Sequence, residues 1–431
     1  MVERQSKQGR SRQPVELAIE WIGARGDGVG YTAGRPVYVP LTITGDRLRV
    51  QLERPRGDGY AGRILEVLAE GPGRVPAPCP HFGECGGCAL QHVEDLRYAA
   101  WKEQLVATAL ARRGFANPPL RPLLRVAAGT RRRANLAAEH AGRAVRLGFH
   151  ARESNRVVDV TGCLVLAPAL SRLLPPLRAA LAAILTDGER IEVTATATDG
   201  GVDLLLEGRP PLALAAREAF AAFAESADLA RLTWRAHGLP SDPIAMRRPP
   251  RIVFAGVAVD LPPGAFLQPT AAGEAALAAA VTQALAGCRR VADLYAGCGT
   301  FTFPLARGAR VHAVEGDAEA IGALAGAARR AVPAPAVTTE QRDLANDPLT
   351  DKELGRFDGV VFDPPRAGAK AQAEQLARSR VPKVVAVSCD PATFARDARI
   401  LVDGGYRLLE ATPIDQFVWS PHVEIAAVFV R

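Results

Sequence analysis

Long apolar runs are missing from this chain. None approaches the roughly 18 consecutive apolar residues of a membrane-spanning helix, and the basic start, Met1 to Arg12, is not followed by the apolar core of a secretory signal. The absence of both predicts a cytoplasmic protein with no membrane partner. Cysteine is sparse too, seven in 431 residues. Those seven are clustered rather than paired along the chain, so they read as metal ligands or nucleophiles before they read as disulfides. No internal repeat is present.

What is present is a basic excess, unevenly placed. Lys plus Arg number 53 against 46 for Asp plus Glu, and the stretch from Arg121 to Arg156 is rich in arginine, with the run Arg131-Arg132-Arg133. Two readings fit: a polyanionic partner held through its phosphates, or a solvated basic face on a chain rich in alanine and arginine.

The length allows two or three domains, each with its own core. A basic tail over 1–14 is expected to be disordered. Over 15–70, period-two alternation in Val15-Glu16-Leu17-Ala18-Ile19 and in Arg47-Leu48-Arg49-Val50, with a turn at Gly26-Asp27-Gly28, predicts a small β-barrel of the oligonucleotide-binding type. Gly71-Pro72-Gly73, followed by Pro76 and Pro78, reads as a linker. A central α/β region runs from 71 to 255, with helical spacing between Leu96 and Arg113 and two antiparallel strands expected at 191–196 and 202–207. From 256 to 431, strand-like runs at 290–294, 310–314, 359–362, 383–387 and 424–430 alternate with helix-like ones. That alternation predicts a doubly wound, mostly parallel, Rossmann-like α/β sheet.

Two groups of residues carry ligand chemistry. Cys79, Cys85 and Cys88 stand with five and then two residues between neighbours, and Cys163 lies much further on. Thiolates in that number select zinc or an iron–sulfur cluster, and an unmetallated structural loop is the remaining alternative. In the second group, the strand Val291 to Leu294 runs into Tyr295-Ala296-Gly297-Cys298-Gly299-Thr300, a glycine turn expected to open a helix near Phe301. Glu315, after the next strand, is placed to hold a ribose hydroxyl pair. The turn lacks the three-glycine fingerprint of dinucleotide enzymes and favours S-adenosylmethionine. Asp343, after a third strand, is either an adenine contact or a surface acid. In Asp363-Pro364-Pro365-Arg366, an arginine takes the place of the aromatic that amino-methylating enzymes stack on their target base, so Asp363 is left to bond a base edge.

Downstream of this cofactor motif comes Ser388-Cys389-Asp390-Pro391-Ala392-Thr393, with Cys389 at a strand end. Such a cysteine is most often a packing residue. Beside a methyl donor it has a specific use, because carbon 5 of a pyrimidine attacks a sulfonium methyl only after a thiolate has added at carbon 6. A base must then remove the carbon 5 proton, and Glu424 at the start of the last strand is the candidate.

Phe266-Leu267-Gln268-Pro269-Thr270, Asp293 to Thr300, Asp363 to Arg366, Ser388 to Thr393 and His422-Val423-Glu424 occur in the order found in the RNA uracil-5 methyltransferases, which the chain resembles over most of its length. Gly26-Asp27-Gly28-Val29-Gly30 with Val39-Pro40 and Gly45-Asp46 is similar to that family's TRAM barrel. The resemblance implies methylation of a uridine in structured RNA, ribosomal (23S) before transfer RNA, by a monomer. It implies Cys389 as nucleophile, Glu424 as base, and Gln268, Tyr295, Gly297, Gly299, Thr300, Glu315, Asp343 and Asp363 as cofactor or base contacts. It also implies Cys79, Cys85, Cys88 and Cys163 as ligands of a [4Fe–4S] cluster. Thr270, Thr300 and Asp390 depart from the asparagine frequent at each position. Two rivals stand: a non-catalytic RNA-binding iron–sulfur protein, and a cytosine-5 enzyme, against which Ser388 stands where such enzymes carry proline.

Overall fold

A computed structural model describes residues 13–142, 144–209 and 211–431. The expected tail therefore lies, up to residue 12, outside the described residues. The chain forms two compact units, one holding the residues up to Gly83 with Gly87–Trp101 and Trp419–Pro421, the other holding Glu84–Gly86, Lys102–Val418 and His422–Arg431.

In the first unit, six short strands form one sheet in which Val15–Ala18 pairs with Arg47–Arg56 and Trp21–Ile22 pairs with Gly28–Thr32. The strands at its two ends are successive pieces of chain. Between them Ile19 donates its N–H to the Asp46 carbonyl at 2.8 Å and Glu20 donates to that of Val29 at 2.8 Å, so the sheet curls around Leu17, Ile19, Val37, Val39, Leu48 and Val50. The stretch read as a linker is tied down. The buried Asp46 carboxylate accepts from Ile43 N–H at 2.8 Å and Gly71 N–H at 2.8 Å and pairs with Arg74, which fixes Gly71 to Arg74 against the sheet. A sequence shows the turn formers of a linker but not the buried acceptor waiting for their amides.

The second unit contains two sheets. Its six-stranded sheet runs in the order Asp242–Met246, Arg231–Ala236, Gly201–Gly208, Arg190–Thr198, Arg133–Ala141, Ala144–Gly148. The expected antiparallel pair is there, with Thr196 opposite Asp203. Helices Pro168–Ile184 and Leu214–Ser226 bury Leu170, Leu174, Leu177, Phe220 and Phe223 in the same core as Val193, Leu204 and Leu206 of this sheet.

The eight-stranded sheet runs Val337–Gln341, Arg310–Glu315, Arg290–Leu294, Gly359–Phe362, Lys383–Ser388, Glu424–Val430, Arg407–Asp415, Leu124–Arg125. All five strand-like runs of the C-terminal segment are in it, and its first five strands are parallel. Successive side chains point to opposite faces: Val361 and Val385 pack with Leu277 and Val281 of helix Ala271–Ala284, whereas Val360 and Val384 pack with Leu376, Phe394 and Leu401 from helices Lys370–Arg378 and Pro391–Asp403. Strands buried on both faces explain why these runs read as continuous valine rather than as alternation. Among the described residues no helix is long and apolar enough to cross a membrane.

Helix Asp95–Ala111 adds Val106 and Leu110 to the second of these cores. One turn earlier it delivers Lys102, which is fully buried and whose ammonium donates to Asp415 at 2.8 Å, to the Phe417 carbonyl at 3.3 Å and to the carbonyl of His422. Burial pulls its pKa down, and Asp415 holds it up. Removing one partner of such a pair strands the other charge, so Lys102→Met should lose about 3–5 kcal/mol of stability. The double variant Lys102→Met with Asp415→Leu should regain most of it in the same thermal or urea unfolding series.

Candidate active site

The carboxyl ends of four adjacent strands meet at one edge of the eight-stranded sheet, where ligands bind in open α/β folds. Leu294 and Phe362 are opposite one another, as are Phe362 and Ala386, so Tyr295, Asp363 and Val387 stand at one level with Cys389 just beyond. The strand Glu424–Val430 runs the other way, with Ile425 opposite Ser388. Extending that register by one residue brings Glu424 beside Cys389. Two side chains separated by about 35 residues of chain thus become neighbours through one antiparallel pairing.

Each element ends where its sequence requires. Asp390 caps helix Pro391–Asp403, accepting from the N–H groups of Ala392 at 2.8 Å and Thr393 at 3.0 Å, and Pro391 occupies the first turn, where no N–H is needed. The cap stops the strand at Ser388 and leaves Cys389 half-buried at the turn.

Charge is costly at this edge. Burial pushes Glu424 up to about 8, with the neighbouring Asp363 adding to the rise and the Gln416 amide and Arg366 opposing it. Asp363, half-buried by surface area but with its carboxyl enclosed, is likewise pushed up by burial to about 7, against a bond from the Gln268 amide at 3.1 Å. Burial and the carboxyls of Glu424 and Asp363 push the Cys389 thiol up to about 12, and Arg366 pulls against them. Burial thus favours the protonated forms of all three groups at this edge.

The adjoining turn has features of a nucleoside cradle. Tyr295 holds a left-handed φ of 61°, and Gly297 and Gly299 have φ of 54° and 106°. The carboxylate of Glu315 accepts from Gly297 N–H at 2.9 Å and from Asp317 N–H at 2.9 Å, so it shapes the turn while keeping lone pairs for hydroxyl donors. A side chain added at Gly297 would meet nothing within 4 Å, so the turn faces open space. Asp293 beneath it is fully buried, accepts from Thr302 at 2.5 Å through one oxygen, and has no partner for the other. Burial pushes it up to about 7. An acidic rim of this kind fits a nucleoside that carries positive charge. The helix expected after the turn is short, Thr302–Leu305, so the turn's backbone and Glu315 carry the fit rather than a helix terminus.

The remaining expected residues divide. Thr300 is half-buried in the turn. Asp343 is exposed and caps a turn, accepting from Ala345 N–H at 3.1 Å and from the Asn346 amide at 2.7 Å. Cys79, Cys85, Cys88 and Cys163 are half-buried and in no disulfide. Among the described residues no three His, Cys, Asp or Glu side chains are grouped so as to hold a metal ion.

The arginine run is not the open phosphate comb its sequence suggests. Arg132 pairs with Glu274 and donates to the Gln268 carbonyl at 3.0 Å, and Arg133 is half-buried and donates to the Gly264 carbonyl at 3.4 Å. Both hold the segment that bears Gln268. Gln416 and Lys102 went unread because neither sits in a motif. Asp415-Gln416, five residues short of the His-Val-Glu element, was the available signal.

A family model described as tRNA (Uracil-5-)-methyltransferase matches residues 337–431. Along nearly its whole length the chain is similar to an uncharacterized RNA methyltransferase of Brucella suis biovar 1 (strain 1330), at 42% identity over 421 residues, 98% of this chain and 99% of that protein. It is also similar to the 23S rRNA (uracil(1939)-C(5))-methyltransferase RlmD of Halomonas elongata, at 37% identity over 434 residues, 95% of this chain and 88% of that one. Its fold is similar to that of the Pyrococcus abyssi tRNA (uracil-54, C5)-methyltransferase solved with S-adenosyl-L-homocysteine, with a TM-score of 0.70 at 23% identity, covering 96% of this chain and 100% of that chain. Coverage at these identities establishes that the chain belongs to the RNA uracil-5 methyltransferase family.

Proposed function

We propose that the protein methylates carbon 5 of one uridine in 23S ribosomal RNA through a covalent adduct on Cys389. The observation that carries the reading is the strand register that brings Cys389 and Glu424 together beside the glycine turn. The relative named for 23S rRNA spans 95% of this chain, which supports ribosomal over transfer RNA, and a transfer RNA uridine is the alternative. The target base is flipped out of its fold to reach the pocket. Phe266, 64% exposed with Arg133 6.0 Å from its ring, offers a stacking surface for it. The curled N-terminal sheet, read as a TRAM barrel, holds RNA backbone. The protein works as a cytoplasmic monomer.

S-adenosylmethionine, when bound, supplies the methyl group and leaves as a neutral thioether. Tyr295, Gly297, Gly299, Thr300 and Glu315 hold its nucleoside, Asp343 stands at the adenine edge, and Asp363 faces the cation or the base. Cys389 gives up its proton to solvent water, and its sulfur bonds to carbon 6 as the ring electrons move to the oxygen on carbon 4. Carbon 5 takes the methyl. Glu424 then removes the proton from carbon 5, the double bond between carbons 5 and 6 re-forms, and Cys389 departs as thiolate. A positive charge among Asp363, Glu424 and Cys389 lowers the cost of ionising all three, so binding and activation are linked.

For Cys79, Cys85, Cys88 and Cys163 the reading rests on thiolate spacing. Protein purified without oxygen should carry about four irons and four acid-labile sulfides per chain; chains free of both after reconstitution overturn that cluster.

Cys389→Ala should abolish methyl transfer from labelled S-adenosylmethionine while RNA binding changes less than about threefold. Glu424→Gln should leave an enzyme–RNA adduct that survives a denaturing gel, and its absence there removes Glu424 from the role of base. A raised carboxyl is ionised only at higher pH, so kcat/KM should climb with pH towards about 8 rather than level off above 5. A rate independent of pH between about 5.5 and 8.5 contradicts the assignment of Glu424.

A further inference from the structure

Two buried glutamines connect to Asp363, and only Gln268 belongs to a recognised motif. The Gln268 amide nitrogen donates to Asp363 at 3.1 Å, and its amide oxygen accepts from the Gln416 nitrogen at 2.7 Å. Both residues are 2% exposed. A primary amide can turn over with little change in shape, and with its oxygen towards Asp363 it would repel the carboxylate it now supports. Nothing in Gln268 itself chooses between the two orientations. The donor of Gln416 does.

On Gln416 the amide nitrogen meets the Gln268 oxygen, the amide also bonds the Glu424 carboxyl, and the amide oxygen is buried with no hydrogen-bond partner. Its amide oxygen lies at the start of helix Ala271–Ala284, where a methyl group on Gly273 would stand 2.4 Å from that oxygen and 2.8 Å from the Gln416 Cβ. Only a glycine leaves room there. On the other side, Lys102 fixes Asp415 and the Phe417 carbonyl, the residues flanking Gln416. Arg132 holds the Gln268 carbonyl.

We propose that Gln416 is a positioning residue for methyl transfer: through the Gln268 amide it keeps an N–H donor aimed at Asp363, in a slot that Gly273 exists to provide. This rests on the function proposed above only for its effect on rate. The groups facing Asp363 are Asp293 from the strand Arg290–Leu294, Cys389, Glu424, Arg366 from its own loop and the Gln268 amide. Of these, the Gln268 donor favours the ionised form directly. Its loss therefore matters where Asp363 is charged and fades where it is protonated.

The test compares the full-length wild type with Gln416→Met, Gln268→Met and the double variant, melted at about pH 6 and about pH 8.5. The deficit of Gln416→Met in melting temperature should be at least about twofold larger at the higher pH, and in the Gln268→Met background that pH dependence should fall by at least about half, the remainder being what the Gln416 amide does directly for Glu424. Gly273→Ala, which pushes the Gln416 amide aside, should behave as Gln416→Met does. A deficit equal at both pH values, as lost packing would produce, overturns the proposal. In turnover, Gln416→Met should lower kcat about tenfold with KM for RNA within about twofold, and recover as pH rises. If the wild type methylates no uridine in any RNA while the pH-dependent deficit is found, the proposed function fails and the positioning of Asp363 stands.

Discussion

The ion pair between Lys102 and Asp415 is the constraint on which the catalytic edge rests. A fully buried ammonium is tolerated only when its donors are met, and here a carboxylate and two carbonyls meet them. Those acceptors belong to residues 415, 417 and 422, so one cation holds both ends of the segment between the strand Arg407–Asp415 and the strand that begins at Glu424. Gln416 sits inside that hold, and Glu424 follows its last member, His422, by two residues. The pair thus fixes where Glu424 enters the strand pairing that brings it beside Cys389.

The second organising feature is the charge the edge lacks. Three carboxyls, Asp293, Asp363 and Glu424, are raised towards or past neutrality, and the thiol beside them is raised further. Arg366, which is exposed, opposes the rise at both Glu424 and Cys389. In the proposed reaction the missing charge arrives with the methyl donor. Cofactor entry and activation of the thiol then become one event, because the same electrostatic deficit drives both.

Much of this was legible in the sequence because the chemistry sits in short motifs at strand ends. Cys389, Asp363 and Glu315 each follow a valine-rich run, and the runs are strands because both faces of the sheet are covered. What was not legible depends on long-range partners. Lys102 meets Asp415 across 313 residues, Arg132 finds Glu274 across 142, and Asp46 captures Gly71, tying an apparent linker to the N-terminal sheet. In each case a polar side chain reads as surface until the fold supplies a buried partner. The four cysteines are read from their spacing alone.

RNA transcribed with 5-fluorouridine in place of uridine tests the central claim most directly. Once carbon 5 carries both fluorine and methyl, it has no proton for Glu424 to remove, so the bond from sulfur to carbon 6 cannot resolve. With S-adenosylmethionine present, the account predicts a complex stable to denaturation whose Cys389 peptide carries a methylated 5-fluorouridine. Methylation of the natural transcript with no such complex, or a complex through any residue other than Cys389, contradicts it.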